Sequence, residues 1–319
     1  MAVLVGIDEA GFGPILGPLV VSSSVFSLPD NHLKADLWQV LRKSVDNKRK
    51  KLAGRLLITD SKKAYNKLLG IKHLERTVLA CIKCLGSNPT TLVELLKLLC
   101  SDCVEQMNDY PWYKDAAIYA IPTNCADLTI ASAVLKDDLD ANQIKLLEIR
   151  SCCLDVAYFN KMVSSVKNKA QVLFIAVSRL IQKAYDNFPE DDMQIIVDRQ
   201  GGRVHYRNSL QQMFPDMELK ILKESPETSS YQLQQGSRRM SLHFVVKADE
   251  HFLPVSLASM VSKYLRELLI DNINRYFTGF HSGLKPTAGY WKDGLRFIED
   301  LKKYIPNLAI DENQLVRCR

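Results

Sequence analysis

The sequence predicts an α/β protein with a mixed central sheet flanked by helices. Short apolar runs such as VLVGI, PLVV, MQIIV and LHFVV alternate with stretches of helical periodicity, DVAYFNKMVSSVKNKAQVLFIAVSRLIQKAYDNF and PVSLASMVSKYLRELLIDNINRYF among them. The first two apolar runs are separated by a glycine-rich turn, which suggests that this part of the sheet is antiparallel. There is no evident internal repeat and no low-complexity tract.

In chain order, residues 3 to 27 give a strand, a glycine-rich turn and a second strand, so that a strand end carries Asp8 and Glu9. A helical stretch over 36 to 55, basic at its tail, precedes LLITDSKKAYNKLL, a short apolar run with an acidic cap and a helix start at Ser61 or Lys62. Residues 76 to 150 differ in texture, being leucine-rich and cysteine-bearing, and are expected to form an inserted helical or mixed segment. After residue 155 the α/β alternation returns. A long helical pattern leads to MQIIVD, a buried strand ending on Asp198, then to GGRVHY as a turn and strand, and to ELKILKES as a further strand. SLHFVVKAD delivers Asp249, and a helix starts with Pro254 near its first turn.

With 319 residues the chain is long enough for a sizeable core in one or two domains. Hydrophobic residues at 47% and charged residues at 24% disfavour disorder over most of its length. The absence of an 18-residue apolar run and of a basic region before the first strand leads to the expectation of a cytoplasmic protein without a membrane span or secretion signal. A net charge of +6 permits a polyanionic partner without demanding one. In such a compartment the eight cysteines are expected to be reduced. Cys81 with Cys84 and Cys100 with Cys103 have the spacing of a structural Zn²⁺ site, and equally the spacing of small buried side chains on apolar helix faces.

Four carboxylates occupy similar local positions: Asp8 and Glu9 after VLVGI, Asp198 after MQIIV, and Asp249 after HFVVKA. Strand ends hold carboxylates on rigid backbone, where several can converge, and such a group suits Mg²⁺ or Mn²⁺ because these ions prefer hard oxygen ligands. Taken singly, each could equally be a turn residue. Gly11 and Gly13 leave backbone uncovered by side chains, yet they do not form the G-x-G-x-x-G fingerprint, and no Walker-type lysine follows.

GIDEAGFGPILGPLVV at 6 to 21, ITDSKK at 58 to 63, IIVDRQGG at 195 to 202 and KADEHFLPVSLASMVSKYLRE at 247 to 267 resemble the successive motifs of the type 2 ribonucleases H, the ribonuclease HII and HIII group. NKAQVLFIAVSRLI at 168 to 181 and PTAGY at 286 to 290 are similar to two further segments of that family. The resemblance implies an RNase H-like fold, with 1–75 and 151–305 as one catalytic domain, 76–150 inserted, and 306–319 as a C-terminal tail. It implies a metal-dependent endoribonuclease acting on the RNA strand of RNA:DNA hybrids or at ribonucleotides embedded in DNA, giving 3′-hydroxyl and 5′-phosphate ends. The family's four catalytic and metal-binding acids fall on Asp8, Glu9, Asp198 and Asp249, with two Mg²⁺ or Mn²⁺ ions in the catalytic state. Its substrate-binding positions fall on Gly11, Phe12, Gly13, Ser259, Ser262, Lys263 and Tyr290.

The chain departs from the family at Phe12, where arginine or a small or cationic residue is usual, at Glu250, and in the inserted segment, which could extend the substrate groove, bind a protein partner or cover the site. Phe12 and the insertion leave open a nuclease of the same fold that acts on structured or all-DNA substrates, or a binding protein with little activity. The basic stretches KRKKLAGR at 48 to 55 and SRRM at 237 to 240 are either phosphate contacts or solvated surface.

Overall fold

The computed structural model describes residues 1–50, 52–65, 69–189 and 192–318. Its centre is a seven-stranded mixed sheet: β1 (Ala2–Ala10), β2 (Leu19–Leu28), β3 (Lys145–Leu154), β4 (Asp192–Asp198), β5 (Glu218–Glu224), β6 (Thr228–Gln235) and β7 (Arg238–Val245), in the order β3-β2-β1-β4-β7-β6-β5. The central pairs β1–β4 and β4–β7 are parallel, and both flanks are antiparallel. The mixed α/β architecture flanked by helices is therefore present, with the antiparallel β1–β2 hairpin where the glycine turn suggested it.

The flanking helices are α1 (Lys72–Cys84), α2 (Leu92–Cys100), α3 (Ala126–Ala141), α4 (Val156–Val166), α5 (Lys169–Asn187), α6 (Leu253–Phe280) and α7 (Trp291–Tyr304). Local chemistry fixes several of their starts. Thr91 accepts from the Glu94 N–H at 3.2 Å, Asp155 from the Tyr158 N–H at 2.9 Å, and Asn168 from the Ala170 N–H at 2.9 Å, each satisfying an amide that the first turn leaves without a partner.

One sheet face packs on α5 through Val3, Val5, Ile7, Val172, Phe174 and Phe244. The other packs on α6, and that core continues without a break into Leu79, Leu95 and Leu135 of α1, α2 and α3. The segment expected as an insertion thus shares the main core, and the boundary expected at residue 150 falls inside β3, which pairs with β2.

Gly6 sets the distance between β1 and α6. A Cβ on it would lie 2.2 Å from the Pro254 carbonyl carbon and 2.3 Å from the Val255 nitrogen. The resulting seat is tied by Ser24, whose hydroxyl donates to the Pro254 carbonyl at 2.8 Å.

Two expected elements differ. The helix over 36 to 55 is one turn, Leu37–Val40, followed by the strand Val45–Asp46 paired with Leu56–Leu57, because Trp38 is drawn inward to donate its indole N–H to the Ile58 carbonyl at 2.8 Å. The strand in GGRVHY is absent, since β4 is already paired on both sides; Tyr206 instead stacks on Phe244 with ring centroids 3.7 Å apart. The helix expected from Ser61 spans Ser61–Ala64, and residues 66 to 68 lie outside the described residues. No helix among the described residues is long and apolar enough to cross a membrane.

Gly6→Ala should cost about 3 kcal/mol, the upper end of ordinary overpacking, because backbone rather than a flexible side chain occupies the space. Gly13→Ala, which would meet nothing within 4 Å, should stay within about 0.5 kcal/mol of wild type in urea denaturation.

Candidate active site

Asp8 and Glu9 lie at the C-terminal end of β1, and Asp198 ends β4. The parallel register pairs Ile7 with Val197, so these strands deliver their carboxylates side by side. β7 continues the pairing opposite Asp198 and then turns at Lys247, whose φ of 54° lets the chain enter the single helical turn Ala248–His251 that carries Asp249. The Ala248 N–H donates to Asp198 Oδ1 at 2.7 Å, and the Glu9 N–H donates to Asp8 Oδ1 at 2.7 Å. The structure therefore gathers all four acids at one end of the parallel strands.

Their electrostatics record the crowding. Burial pushes the Asp8 carboxyl well above the usual range, and the charges of Glu9, Asp198 and Asp249 add to this, against a lowering hydrogen bond from Ser259. Glu9 is pushed up to about 7 by burial and then by Asp198. Asp198 is pushed up to about 6 by burial and then by Asp249. Asp249 is raised by burial, followed by Asp60 and Glu250. Like charges this close favour the neutral forms unless a cation intervenes.

Among the described residues, no group of three or more His, Cys, Asp or Glu side chains stands ready to hold a metal ion. The acids are nonetheless within interacting range of one another. Their chemistry fits a hard divalent cation, since every donor is a carboxylate oxygen and the upward shifts arise first from burial and then from neighbouring negative charge.

The ITDSKK turn supplies residues absent from the expected site. Asp60 caps the helix Ser61–Ala64 by accepting from the Lys62 N–H at 2.8 Å, Lys62 lowers the carboxyls of Glu9, Asp198 and Asp249, and Ser61 meets the Ser259 hydroxyl at 3.1 Å. Lys63 pairs with Glu250 at 3.0 Å, offsetting the extra charge beside Asp249. The motif was visible in the sequence; what it faces was not.

The expected substrate-binding residues divide into two groups. Ser259 and Ser262 are buried and point inward: Ser262 donates to the Asp8 carbonyl at 3.0 Å and shares a 2.8 Å hydrogen bond with Ser22, so both serines support the acidic strand end rather than face a phosphate. Tyr290 is 49% exposed, and Lys263 lies between its ring and that of Tyr65, at 5.8 and 5.3 Å from the centroids, while pairing with Glu267 at 2.6 Å.

Gly11 takes φ +98° and would bring a Cβ within 2.7 Å of the Pro18 carbonyl oxygen; its own carbonyl, expected to be uncovered, accepts from the Arg317 guanidinium. Phe12 packs partly against the core, with Lys169 Nζ 5.0 Å from its ring centroid. Gly13 is exposed.

Arginines of the basic stretches are engaged within the protein. Arg49 donates to the Lys63 carbonyl at 2.6 Å, Arg55 pairs with Asp46 at 2.7 Å, Arg238 donates to the Tyr185 carbonyl at 2.6 Å, and Lys51 lies outside the described residues. The four cysteines with zinc-site spacing are grouped differently: Cys81 is core beside Cys84, whereas Cys100 and Cys103 meet Cys152 and Cys153 of β3.

No family model matches the chain, and no curated protein sequence matches it. Similar solved structures include a chain of the PCNA:RNase HII complex from Archaeoglobus fulgidus, with a TM-score of 0.46 and 17% identity over 99% of this chain and 94% of that one. Ribonuclease H2 from Pyrococcus horikoshii OT3 gives 0.47 and 13% over 98% and 92%. RNase H3 from Aquifex aeolicus gives 0.43 and 15% over 98% and 71%.

A carboxyl raised in the folded protein costs nothing below its unfolded value and destabilises as the pH climbs toward its folded value, because the native state then holds a proton the unfolded chain has released. For Glu9 this window runs from its ordinary value of about 4.3 up to about 7. Glu9→Gln should therefore melt above wild type at pH 8 in chelator, by about 2 °C if the relief is near 1 kcal/mol, and show no such gain at pH 4.

Proposed function

We propose that the protein is a divalent-metal-dependent endonuclease that hydrolyses the RNA strand of RNA:DNA hybrids, or cuts at ribonucleotides embedded in duplex DNA, leaving 3′-hydroxyl and 5′-phosphate ends. The observation that supports this most is the convergence of Asp8, Glu9, Asp198 and Asp249 from three separate strand ends. These four acids would hold Mg²⁺ or Mn²⁺. When bound, the ions supply activation of water and stabilisation of charge on a phosphate.

The chain's own residues would do the rest. Lys62 offsets part of the carboxylate charge, and Ser259 and Ser262 keep the end of β1 fixed. Tyr290 offers an exposed ring for stacking on a sugar or base, braced by Lys263 and Arg266. Because Arg317 already engages the Gly11 carbonyl, the backbone of Phe12 and Gly13 is the better candidate for meeting the 2′-hydroxyl that distinguishes RNA from DNA. Lys169 over the Phe12 ring brings a cation to the place where the family usually has arginine.

The deciding experiment is cleavage of a hybrid, a DNA duplex with one ribonucleotide, and an all-DNA duplex, each with Mg²⁺ or Mn²⁺. Cutting should be confined to the ribonucleotide-containing strands, and Asp8→Asn should reduce it by more than about 100-fold, beyond what loss of an outer partner of a metal site does. Wild-type cutting of all-DNA lost in Asp8→Asn would favour the changed-substrate reading that Phe12 raises; duplex binding with no cutting would overturn nuclease activity. Lys169→Ala should weaken duplex binding across sequences and lower the salt slope by about one phosphate contact.

A further inference from the structure

Cys100 closes α2, and the 3-10 turn Ser101–Cys103 follows at once. The break brings the Cys100 and Cys103 sulfurs to 3.2 Å, with Cys103 Sγ also 3.0 Å from the Cys100 carbonyl oxygen. Cys81 and Cys84 have the same sequence spacing but both lie in α1, of which Cys84 is the last residue, whereas Cys103 lies beyond the end of α2, so spacing alone does not explain the sulfur contact. Cys152 and Cys153 arrive from β3, and all four cysteines line a cavity of about 290 Å³ whose wall also carries Arg179 and Lys183.

We propose that Cys100 and Cys103 are an oxidisable dithiol, converted to a disulfide by a small hydroperoxide that enters this cavity. The sulfur separation is about 1.2 Å longer than an S–S bond, a gap that side-chain rotation in the 3-10 turn beyond α2 can close. The buried thiols also titrate apart, Cys100 and Cys153 pushed up through their hydrogen bonding to Cys103 and Cys103 pulled down, so one of them ionises ahead of the rest.

The chemistry balances in two steps. The Cys103 thiolate attacks a peroxide oxygen, forming an S–O bond and breaking O–O, and the departing oxygen takes a proton. The Cys100 thiol then gives up its proton as its sulfur attacks Cys103, forming S–S and breaking S–O, and hydroxide leaves with that proton as water. Two thiols lose two electrons and two protons, and hydrogen peroxide becomes two waters.

The test uses the full-length wild-type protein treated with hydrogen peroxide, denatured, alkylated and mapped by tryptic peptide mass. The 98–114 peptide, which carries both cysteines, should appear two hydrogens lighter and unalkylated, and a thiol reductant should restore two alkylated sites. Its disulfide should form about tenfold or more faster than one between Cys81 and Cys84. In Cys103→Ser the two-hydrogen loss should vanish. Full alkylation of the peptide after peroxide, a bond from Cys103 to Cys153 instead, or equal oxidation of Cys81 and Cys84 would each overturn the assignment, and none of these readings depends on nuclease activity.

Discussion

The close seating of α6 on β1 is the constraint on which the rest of the structure depends. It exists because Gly6 has no side chain where the Pro254 and Val255 backbone must lie. Once helix and strand are this near, a row of hydroxyls bridges them: Ser24 to the Pro254 carbonyl, Ser262 to the Asp8 carbonyl and Ser22, and Ser22 to Ser151 of β3 at 2.8 Å. Each such bond contributes about 1 kcal/mol net, yet leaving any of these buried hydroxyls unpaired would cost more than that. The polar row therefore fixes one register of helix on sheet, whereas an apolar contact would tolerate sliding.

That fixed register permits an unfavourable group of charges. Burial raises the proton affinity of the carboxylates brought together by β1, β4 and the turn after β7, and neighbouring negative charges raise it further. A loosely packed strand end would relax and separate them. Here Ser259 against Asp8, the Ala248 amide on Asp198 and the nearby Lys62 oppose the separation. This crowding of buried carboxyls is what would make a divalent cation favourable at this edge.

The glycine turn is held from beneath as firmly as the acids are held from the side. The Gly289 carbonyl accepts the Ile15 N–H at 2.8 Å, and Arg266 donates to the Ala288 carbonyl at 3.0 Å. Arg317, near the end of the chain, reaches the Gly11 and Pro14 carbonyls while its own backbone N–H meets Ile15 at 2.8 Å. Burial and then the neighbouring Arg266 pull the Arg317 guanidinium down to about 9. Segments distant in sequence thus meet under one turn, and the C-terminal residues belong to the framework of the site.

The strands that carry Asp8 and Asp198 and the strand that leads to Asp249, the hairpin across the glycine turn and the long helix from Pro254 were legible in the residues, because period-two and helical patterns, caps and turn glycines act within a few positions of themselves. The four acids were legible for the same reason, each following closely on an apolar strand run. Relations between distant segments were not. Trp38 turned inward to Ile58 and ended an expected helix, Ser259 and Ser262 turned toward the strand rather than a phosphate, and Cys100 and Cys103 found β3 rather than Cys81 and Cys84. Lys62 stood in a visible motif, yet its place beside the acids depends on the fold. Side-chain direction is set by which partner is within reach after packing, and local periodicity carries no information about that distance.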